Sequence, residues 1–216
     1  MTRTYHHGNL RAALVEAAIE LARTGGPEAV VLREMARQVG VSHNAAYRHF
    51  ADRDQVLVEV GARAMALLEQ AMRDGIAAVR SRDVKVRSRR HLSATGRAYV
   101  EFALTNPGLF AIAFAGAQKA ESGPAGPGTG DPEHAVAVHA EDDLGPYGVL
   151  IEVLDAMVAS GAMPASRRPG ADATCWAGVH GFSVLHLGGP LPGDGAEAWR
   201  VELEHLLATL ERGLCD

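Results

Sequence analysis

The sequence has little of what disulfide-stabilised, secreted or membrane-spanning proteins need. Only two cysteines, Cys175 and Cys215, occur in 216 residues, so disulfides cannot stabilise the fold. The longest run without Asp, Glu, Lys or Arg, residues 173–193, is interrupted by two histidines, five glycines and two prolines, which predicts a buried helix and a loop rather than a membrane span. The first ten residues lack the apolar core of a secretory signal. We therefore expect a cytoplasmic protein that does not span a membrane.

The hydrophobic pattern is helical, and no segment alternates with period two. The clearest apolar face follows helical spacing at Leu10, Ala13, Leu14, Ala17, Ala18 and Leu21. Helices are predicted from residue 10, over 32–39 and 42–50, from 52, and over 80–105, 144–160, 171–187 and 196–213. Residues 116–132 hold five glycines and three prolines and are predicted to form a flexible loop. The fold class is therefore all-α.

The charge is unevenly distributed along the chain. Residues 1–97 hold 16 Lys and Arg against 10 Asp and Glu, whereas residues 98–216 hold 5 against 16. This asymmetry favours a polyanionic partner for the first part of the chain only.

The segment 28–50 has the pattern of two short helices joined by a tight turn. Gly40 can adopt positive φ at the turn, and Ser42 can cap the second helix. Ala46 and Phe50 supply apolar anchors on one side of that helix. This is the pattern of a helix-turn-helix, whose second helix enters the major groove of DNA.

The opposite face of that second helix is polar. At 100° per residue, His43, Asn44, Tyr47 and Arg48 fall on one side. Asparagine can pair bidentately with adenine and arginine with guanine, whereas a tyrosine hydroxyl suits a phosphate oxygen. The alternative interpretation is an ordinary solvated face, since any surface helix can carry four polar residues.

Together with its flanks, this segment resembles the TetR family of bacterial transcriptional regulators. The matching residues are the stripe of the first helix, Leu32–Ala36, Gly40–Ser42, Tyr47–Phe50 and Asp52–Asp54. The resemblance implies a three-helix DNA-binding domain over 1–55 and a helical effector-binding and dimerisation domain over 56–216. It implies backbone contacts from Tyr47 and His49 and base-facing positions at His43, Asn44, Ala45 and Arg48, with Ser42 beside them. Val31 stands where the family often has a capping Ser or Thr, so that cap should be absent here.

The rest of the chain resembles one subgroup that carries a Trp/His/Gly signature, here Trp176, His180 and Gly181. Candidates for an apolar cavity that holds a small apolar or uncharged effector are Tyr99, Phe102, Phe110, Phe114, Tyr147, Leu150, Leu154, Met157 and Phe182. Candidates for a dimer interface are Trp176, His180, Ser183, Trp199, Leu203, Leu206, Leu207 and Leu210. In both cases the alternative is that the apolar stripes simply form the core of the monomer.

Evidence for an enzyme is weak. Residues 181–185 begin like a nucleophile elbow but lack its final glycine and a preceding strand. The histidines have no ligand spacing, so we expect no catalytic residues, metal or cofactor. We interpret the chain as a homodimeric repressor that binds a pseudo-palindromic operator on double-stranded DNA and is released by a small molecule. The alternatives are a DNA-binding regulator controlled by abundance or a protein partner and, more remotely, a helical enzyme.

Overall fold

The structure, a computed structural model, describes residues 10–121, 144–191 and 198–215, with backbone only for 116–121. These residues form α-helices and two short 3₁₀ helices and no β-strand, which confirms the all-α class. The α-helices are α1 (Leu10–Gly25), α2 (Leu32–Val39), α3 (His43–Tyr47), α4 (Arg53–Ala78), α5 (Val84–Thr105), α6 (Pro107–Glu121), α7 (Gly145–Ala159), α8 (Ala171–Gly188) and α9 (Ala198–Cys215). The 3₁₀ helices are Pro27–Ala29 and Ala165–Arg167.

The described residues divide into two compact units. Unit 1 contains the described residues up to Ala64 and those from Asn106 to Glu121, so α6 belongs with α1–α3. Unit 2 contains Met65–Thr105 and the described residues from 144 onwards. Helix α4 contributes to both units. A DNA-binding domain over 1–55 and an effector-binding and dimerisation domain over 56–216 stay a prediction.

Unit 1 is built on α1, which packs against α2 and α6. Its inward stripe is buried at Leu14, Ala18 and Leu21, because apolar residues at spacings of three and four share one helical face. The helix ends at Gly25, and Gly26 follows with φ 70°, as predicted from the Gly-Gly-Pro sequence. Helix α2 packs in turn against α3.

Unit 2 is centred on α5, which packs against α7, α8 and α9. A cluster of buried side chains joins these helices: Leu92, Leu150, Val153, Leu154, Met157, Ala162, Met163, Ala171, Cys175 and Leu214. The helix α5 begins at Val84 rather than at Arg80, because the Asp83 carboxylate caps it by accepting the Val86 N–H at 3.0 Å.

The predicted start of the loop and the predicted end of the third helix were also wrong. The loop predicted over 116–132 does not begin at 116, because α6 continues to Glu121; residues 122–132 lie outside the described residues. Helix α3 ends at Tyr47, not at Phe50; a turn follows in which the N–H groups of His49 and Phe50 both donate to the Ala46 carbonyl, at 3.0 and 3.1 Å.

No single helix in the described ranges is long and apolar enough to cross a membrane. Helices α5 and α6 reach the required length and composition only when taken together, as a pair broken after Thr105.

Candidate nucleic-acid interface

The turn between α2 and α3 is held by backbone geometry that requires a glycine. Gly40 adopts φ 76° and ψ 31°, the left-handed region that is strained for residues with a Cβ. The Val41 N–H returns to the carbonyl of Ala36 at 3.0 Å and so closes the end of α2. This reversal sets the angle at which α3 leaves α2.

Helix α3 begins where the sequence places a capping serine. The Ala45 N–H donates to the Ser42 hydroxyl at 3.3 Å, as predicted. Ala46 and Phe50 are fully buried beneath it. These anchors fix which way the short helix faces.

The polar side of α3 is exposed as predicted. His43, Asn44, Tyr47 and Arg48 are all exposed, and Tyr47 keeps 46% of its surface in solvent. The rings of His43 and Tyr47 meet edge to face at 4.6 Å, which limits the freedom of both before any partner arrives. The row therefore presents its polar groups to solvent along one side of the helix. Ala45 and His49 lie at its margins, half-buried.

Arg11 braces the end of α3, a role that sequence reasoning missed. Its guanidinium donates to the His49 carbonyl and to the Glu59 carboxylate of α4, the latter at 2.9 Å. It also lies 4.3 Å from the centroid of the Phe50 ring, within cation–π range. One side chain of α1 thus ties the recognition helix to α4.

A second brace holds the segment before α2. The Arg53 guanidinium donates to the carbonyls of Val30 at 2.9 Å and Pro27 at 2.7 Å. Arg53 follows the predicted cap of α4, where the Gln55 N–H donates to the Asp52 carboxylate at 2.9 Å. The Asp-Arg-Asp sequence indicated this helix start but not the long-range contacts.

Some of the arginines near α3 form salt bridges with a carboxylate, and others do not. Arg37 pairs with Glu34, and this hydrogen bond lowers the pKa of the Glu34 carboxyl. Arg33 and Arg48, both exposed, form no salt bridge within the described residues. Val31 provides no side-chain cap for α2, as predicted. Arg33, at the start of α2, is thus an exposed cation like Arg48, and sequence reasoning did not single it out.

The predicted effector residues are divided between the two units. Phe110 and Phe114 lie in unit 1, where their rings are 4.8 Å apart. The others lie in unit 2, where Leu150, Leu154 and Met157 belong to the buried cluster. Phe102 is also buried, whereas Phe182 is half-buried and stacks on His186.

Two aromatic residues, Tyr99 and Trp176, line a small cavity inside unit 2. Trp176 lies between Tyr99 and Tyr147, with ring centroids 5.1 and 5.3 Å apart. The Tyr99 hydroxyl meets His180 Nδ1 at 2.8 Å, while burial raises the pKa of Tyr99 and lowers that of His180. The cavity beside Tyr99 and Leu150 has a volume of about 20 Å³, which can hold water but is far smaller than a typical ligand pocket.

The predicted dimer residues are half-buried or buried within unit 2. Ser183, Leu203 and Leu207 are buried against the chain's own helices, whereas five of the candidates are half-buried: Trp176, His180, Trp199, Leu206 and Leu210. The apolar positions that α8 leaves exposed are others, among them Val184 at 44% and Leu185 at 41%.

The serine and the cysteine considered as nucleophiles are buried within α8. Ser183 lies within a helix, and its hydroxyl donates to the Val179 carbonyl at 2.8 Å. Burial raises the pKa of the Cys175 thiol to about 11, which disfavours a reactive thiolate. Among the described residues no group of three His, Cys, Asp or Glu could hold a metal; His6, His7, His134 and His139 lie outside them.

An all-α chain with a capped helix-turn-helix and an exposed polar recognition face defines a class, the DNA-binding regulators. Residues 14–60 match the family described as bacterial regulatory proteins, tetR family, and residues 92–206 match the tetracyclin repressor-like C-terminal domain. The second match alone covers more than half of the chain. The chain therefore belongs to the TetR family, whose members are DNA-binding transcriptional regulators. The Trp176–His180–Gly181 signature of a subgroup stays a prediction.

Solved structures share the fold along nearly the whole chain. A protein of unknown function from Rhodococcus sp. RHA1 is 26% identical with a TM-score of 0.73, and each chain is covered completely. A tetR-family regulatory protein from Rhodococcus RHA1 is 17% identical with a TM-score of 0.61, over 97% of this chain and 99% of that one. The regulator PfmR from Thermus thermophilus is 20% identical with a TM-score of 0.58, over 93% and 98%. No curated protein matches the chain.

Proposed function

We propose that the protein is a homodimeric repressor that places one α3 from each copy in successive major grooves of a pseudo-palindromic operator. The observation that carries this proposal is the exposed row of His43, Asn44, Tyr47 and Arg48 above the buried anchors of α3. Asn44 and Arg48 read base edges, whereas Tyr47 donates to a phosphate oxygen. Ser42, Ala45 and His49 lie close to the same duplex surface.

Binding as a dimer is supported by charge as well as by symmetry. Residues 1–55 carry seven arginines against six acids, and four of those arginines, Arg11, Arg23, Arg37 and Arg53, are ion-paired. One subunit therefore offers few cations to the phosphates, and two half-sites are needed for useful affinity.

The exposed face of α8 supports a contact between two copies. Ala173, Ala177, Gly181 and Val184 share this face at helical spacing, and a Cβ added at Gly181 would meet no atom within 4 Å. An apolar face of small residues allows the backbone of a symmetry-related helix to approach closely. Val184→Glu should yield a monomer in analytical ultracentrifugation, whereas Val58→Glu, at an exposed position on α4, should leave the dimer intact. A dimeric Val184→Glu protein would contradict this interface.

Effector release would act through α4, because this helix contributes residues to both units. A ligand that prefers one arrangement of the second part of α4 shifts the populations of the two states. A coupling free energy of about 1–3 kcal/mol changes operator affinity about 5- to 150-fold.

Two substitutions on α3 test the DNA-binding assignment. Tyr47→Ala should weaken binding to every duplex, whereas Asn44→Ala should cost about 1–3 kcal/mol at particular base pairs and relax the preference there. Fluorescence anisotropy with a panel of duplexes measures both effects, and Gln70→Ala on α4 is the control for loss of an exposed amide. If both variants bind every duplex as the unmodified protein does, the assignment is wrong.

A second candidate is a DNA-binding regulator without a small-molecule effector, controlled by abundance or by a protein partner. The interior cavity of about 20 Å³ favours it, because ligand pockets are typically about 300–1,000 Å³. A thermal-shift screen with uncharged apolar compounds separates the two. Stabilisation by one compound, together with loss of operator binding, supports effector release; no stabilisation across chemical classes supports the second candidate.

A further inference from the structure

A groove on the surface of unit 2 is larger than the cavity beside Tyr99. This groove of about 400 Å³ runs between the residues that follow α4, the helix α5 and the helix α9. Apolar atoms of Val79, Ala94, Leu207 and Ala208 line part of it. Its volume lies within the range of small-molecule sites, unlike that of the cavity beside Tyr99.

The acidic side chains of the groove already have cationic partners. Glu204 accepts two hydrogen bonds from Arg97, both at 2.8 Å. Glu211 lies 3.9 Å from Arg89 and accepts a hydrogen bond from Ser93 at 3.4 Å. Each carboxylate thus has one guanidinium within 4 Å.

Two other guanidinium groups line the groove without a carboxylate. Arg90 donates to the carbonyl of Arg80 at 3.1 Å, and Arg80 donates to the carbonyls of Ala77 and Val79, the latter at 3.1 Å. Neither forms a salt bridge in the described part of the chain. A guanidinium has five N–H donors, so donors remain on both side chains after these backbone bonds. The bonds bring the Arg90 head group to the backbone of Arg80 and restrict both side chains.

From this juxtaposition we infer that the groove binds an amphipathic organic anion, whose carboxylate or phosphate lies on Arg80 and Arg90 and whose apolar part lies on Leu207 and Ala208. A guanidinium group matches the geometry of carboxylate and phosphate oxygens. The apolar side chains favour an organic anion over an inorganic ion, because an inorganic ion would leave their surface exposed to water. The inference concerns unit 2 alone and requires no DNA.

A bound anion would connect the end of α4 to α5 and α9. Arg80 follows α4 by two residues, whereas Leu207 lies on α9. If the repressor function proposed above holds, the same ligand would restrain α4 and thereby alter operator affinity. That consequence rests on the proposed function, but the binding itself does not.

Isothermal titration calorimetry of the full chain without DNA tests the site. The probes are decanoate, decyl phosphate and decanol, each below its aggregation limit. At least one of the two anions should bind, and its affinity should fall as salt is added. Decanol should bind at least about tenfold more weakly, because it cannot form charge-assisted hydrogen bonds with the guanidinium groups. The tighter anion identifies the head group. No binding by either anion, or equal binding by decanol, would overturn the inference.

Variants locate the binding within the groove. The double change Arg80→Gln and Arg90→Gln should weaken the anion at least about tenfold, whereas Arg82→Gln, an exposed arginine of the same turn that does not line the groove, should leave it unchanged. Ala208→Trp fills the groove without removing a charge and should also abolish binding. Thermal unfolding without ligand controls for folding. Undiminished affinity in the folded Ala208→Trp protein, or equal losses from Arg82→Gln and the double change, would refute the site.

Discussion

Replacing Gly108 with alanine would place a methyl group inside the contact between α1 and α6. Gly108 is the second residue of α6, and a Cβ built on it would lie 2.0 Å from the carbonyl oxygen of Ala22 and 2.9 Å from the Cα of Gly26. Both obstacles are backbone atoms, so no side-chain rotation can relieve the clash.

The size of the effect follows from the distance that α6 must move. Real Cβ atoms essentially never come within 3.0 Å of another heavy atom, so α6 must retreat by about 1 Å. Leu109 and Phe110, which are 0% and 4% exposed, would then lose part of their packing. Overpacking costs about 1–3 kcal/mol or more, and alanine returns at most about 1 kcal/mol of helix propensity. We expect a net loss of about 2 kcal/mol, a large share of a typical stability of about 5–15 kcal/mol.

The assay must report on unit 1. Both tryptophans, Trp176 and Trp199, lie in unit 2, so intrinsic fluorescence follows the wrong part of the chain. Hydrogen exchange measured by mass spectrometry on peptides from α1 and α6 should instead become about thirtyfold faster, which corresponds to about 2 kcal/mol.

Gly213 provides the matched control, because a Cβ there meets no atom within 4 Å. Gly213→Ala on α9 should leave exchange in α1 unchanged and stabilise the protein by up to about 1 kcal/mol. Unaltered exchange of α1 and α6 in the Gly108→Ala protein would refute the backbone contact between these helices.

Three further predictions concern single side chains. Arg11→Met removes a hydrogen bond, an ion pair and a cation–π contact, so unit 1 should lose about 2 kcal/mol and bind DNA more weakly; Arg23→Met should cost under about 0.5 kcal/mol, and equal losses would contradict the brace. Val31→Thr supplies the side-chain cap that α2 lacks, so it should stabilise the protein by up to about 1 kcal/mol and raise its melting temperature. A lower melting temperature would contradict the capping role of this position. Burial lowers the pKa of His180 below 6.5, so the unfolded chain takes up the proton first and stability should fall as the pH drops through 6.5. His180→Gln should reduce that slope, and an unchanged slope would show that His180 does not contribute.

The local features of the helix-turn-helix could be predicted, because each depends on residues that are close together in the sequence. Ser42 caps α3 three residues ahead of the N–H it accepts, and Gly40 is the only residue of its turn that suits φ 76°. By contrast, the contacts of Arg11 join residues 38 and 48 positions apart. No periodicity or motif records such partners, because they depend on how helices meet.

Periodicity also leaves open what covers an apolar stripe. Leu203 and Leu207 have the spacing of an interface helix, yet unit 2 buries both within itself. The outer face of α8 carries small residues such as Ala177 and Gly181. Such residues contribute little to a hydrophobic pattern, so the pattern did not reveal this face. Similarly, the five glycines and three prolines of residues 116–132 predicted a loop from Gly116 onwards. A single glycine costs a helix only about 1 kcal/mol, and α6 continues past Gly116 to Glu121.

Selection of bound duplexes from a random pool tests most directly whether α3 reads DNA as part of a symmetric pair. The full-length protein should enrich a two-fold-symmetric consensus whose half-sites lie about 10 base pairs apart, one turn of the duplex, or a multiple of that distance. The Asn44→Ala protein, selected in parallel, should lose the preference at the same position in both half-sites. A pool that stays random, or a consensus that Asn44→Ala leaves unaltered, would contradict the account.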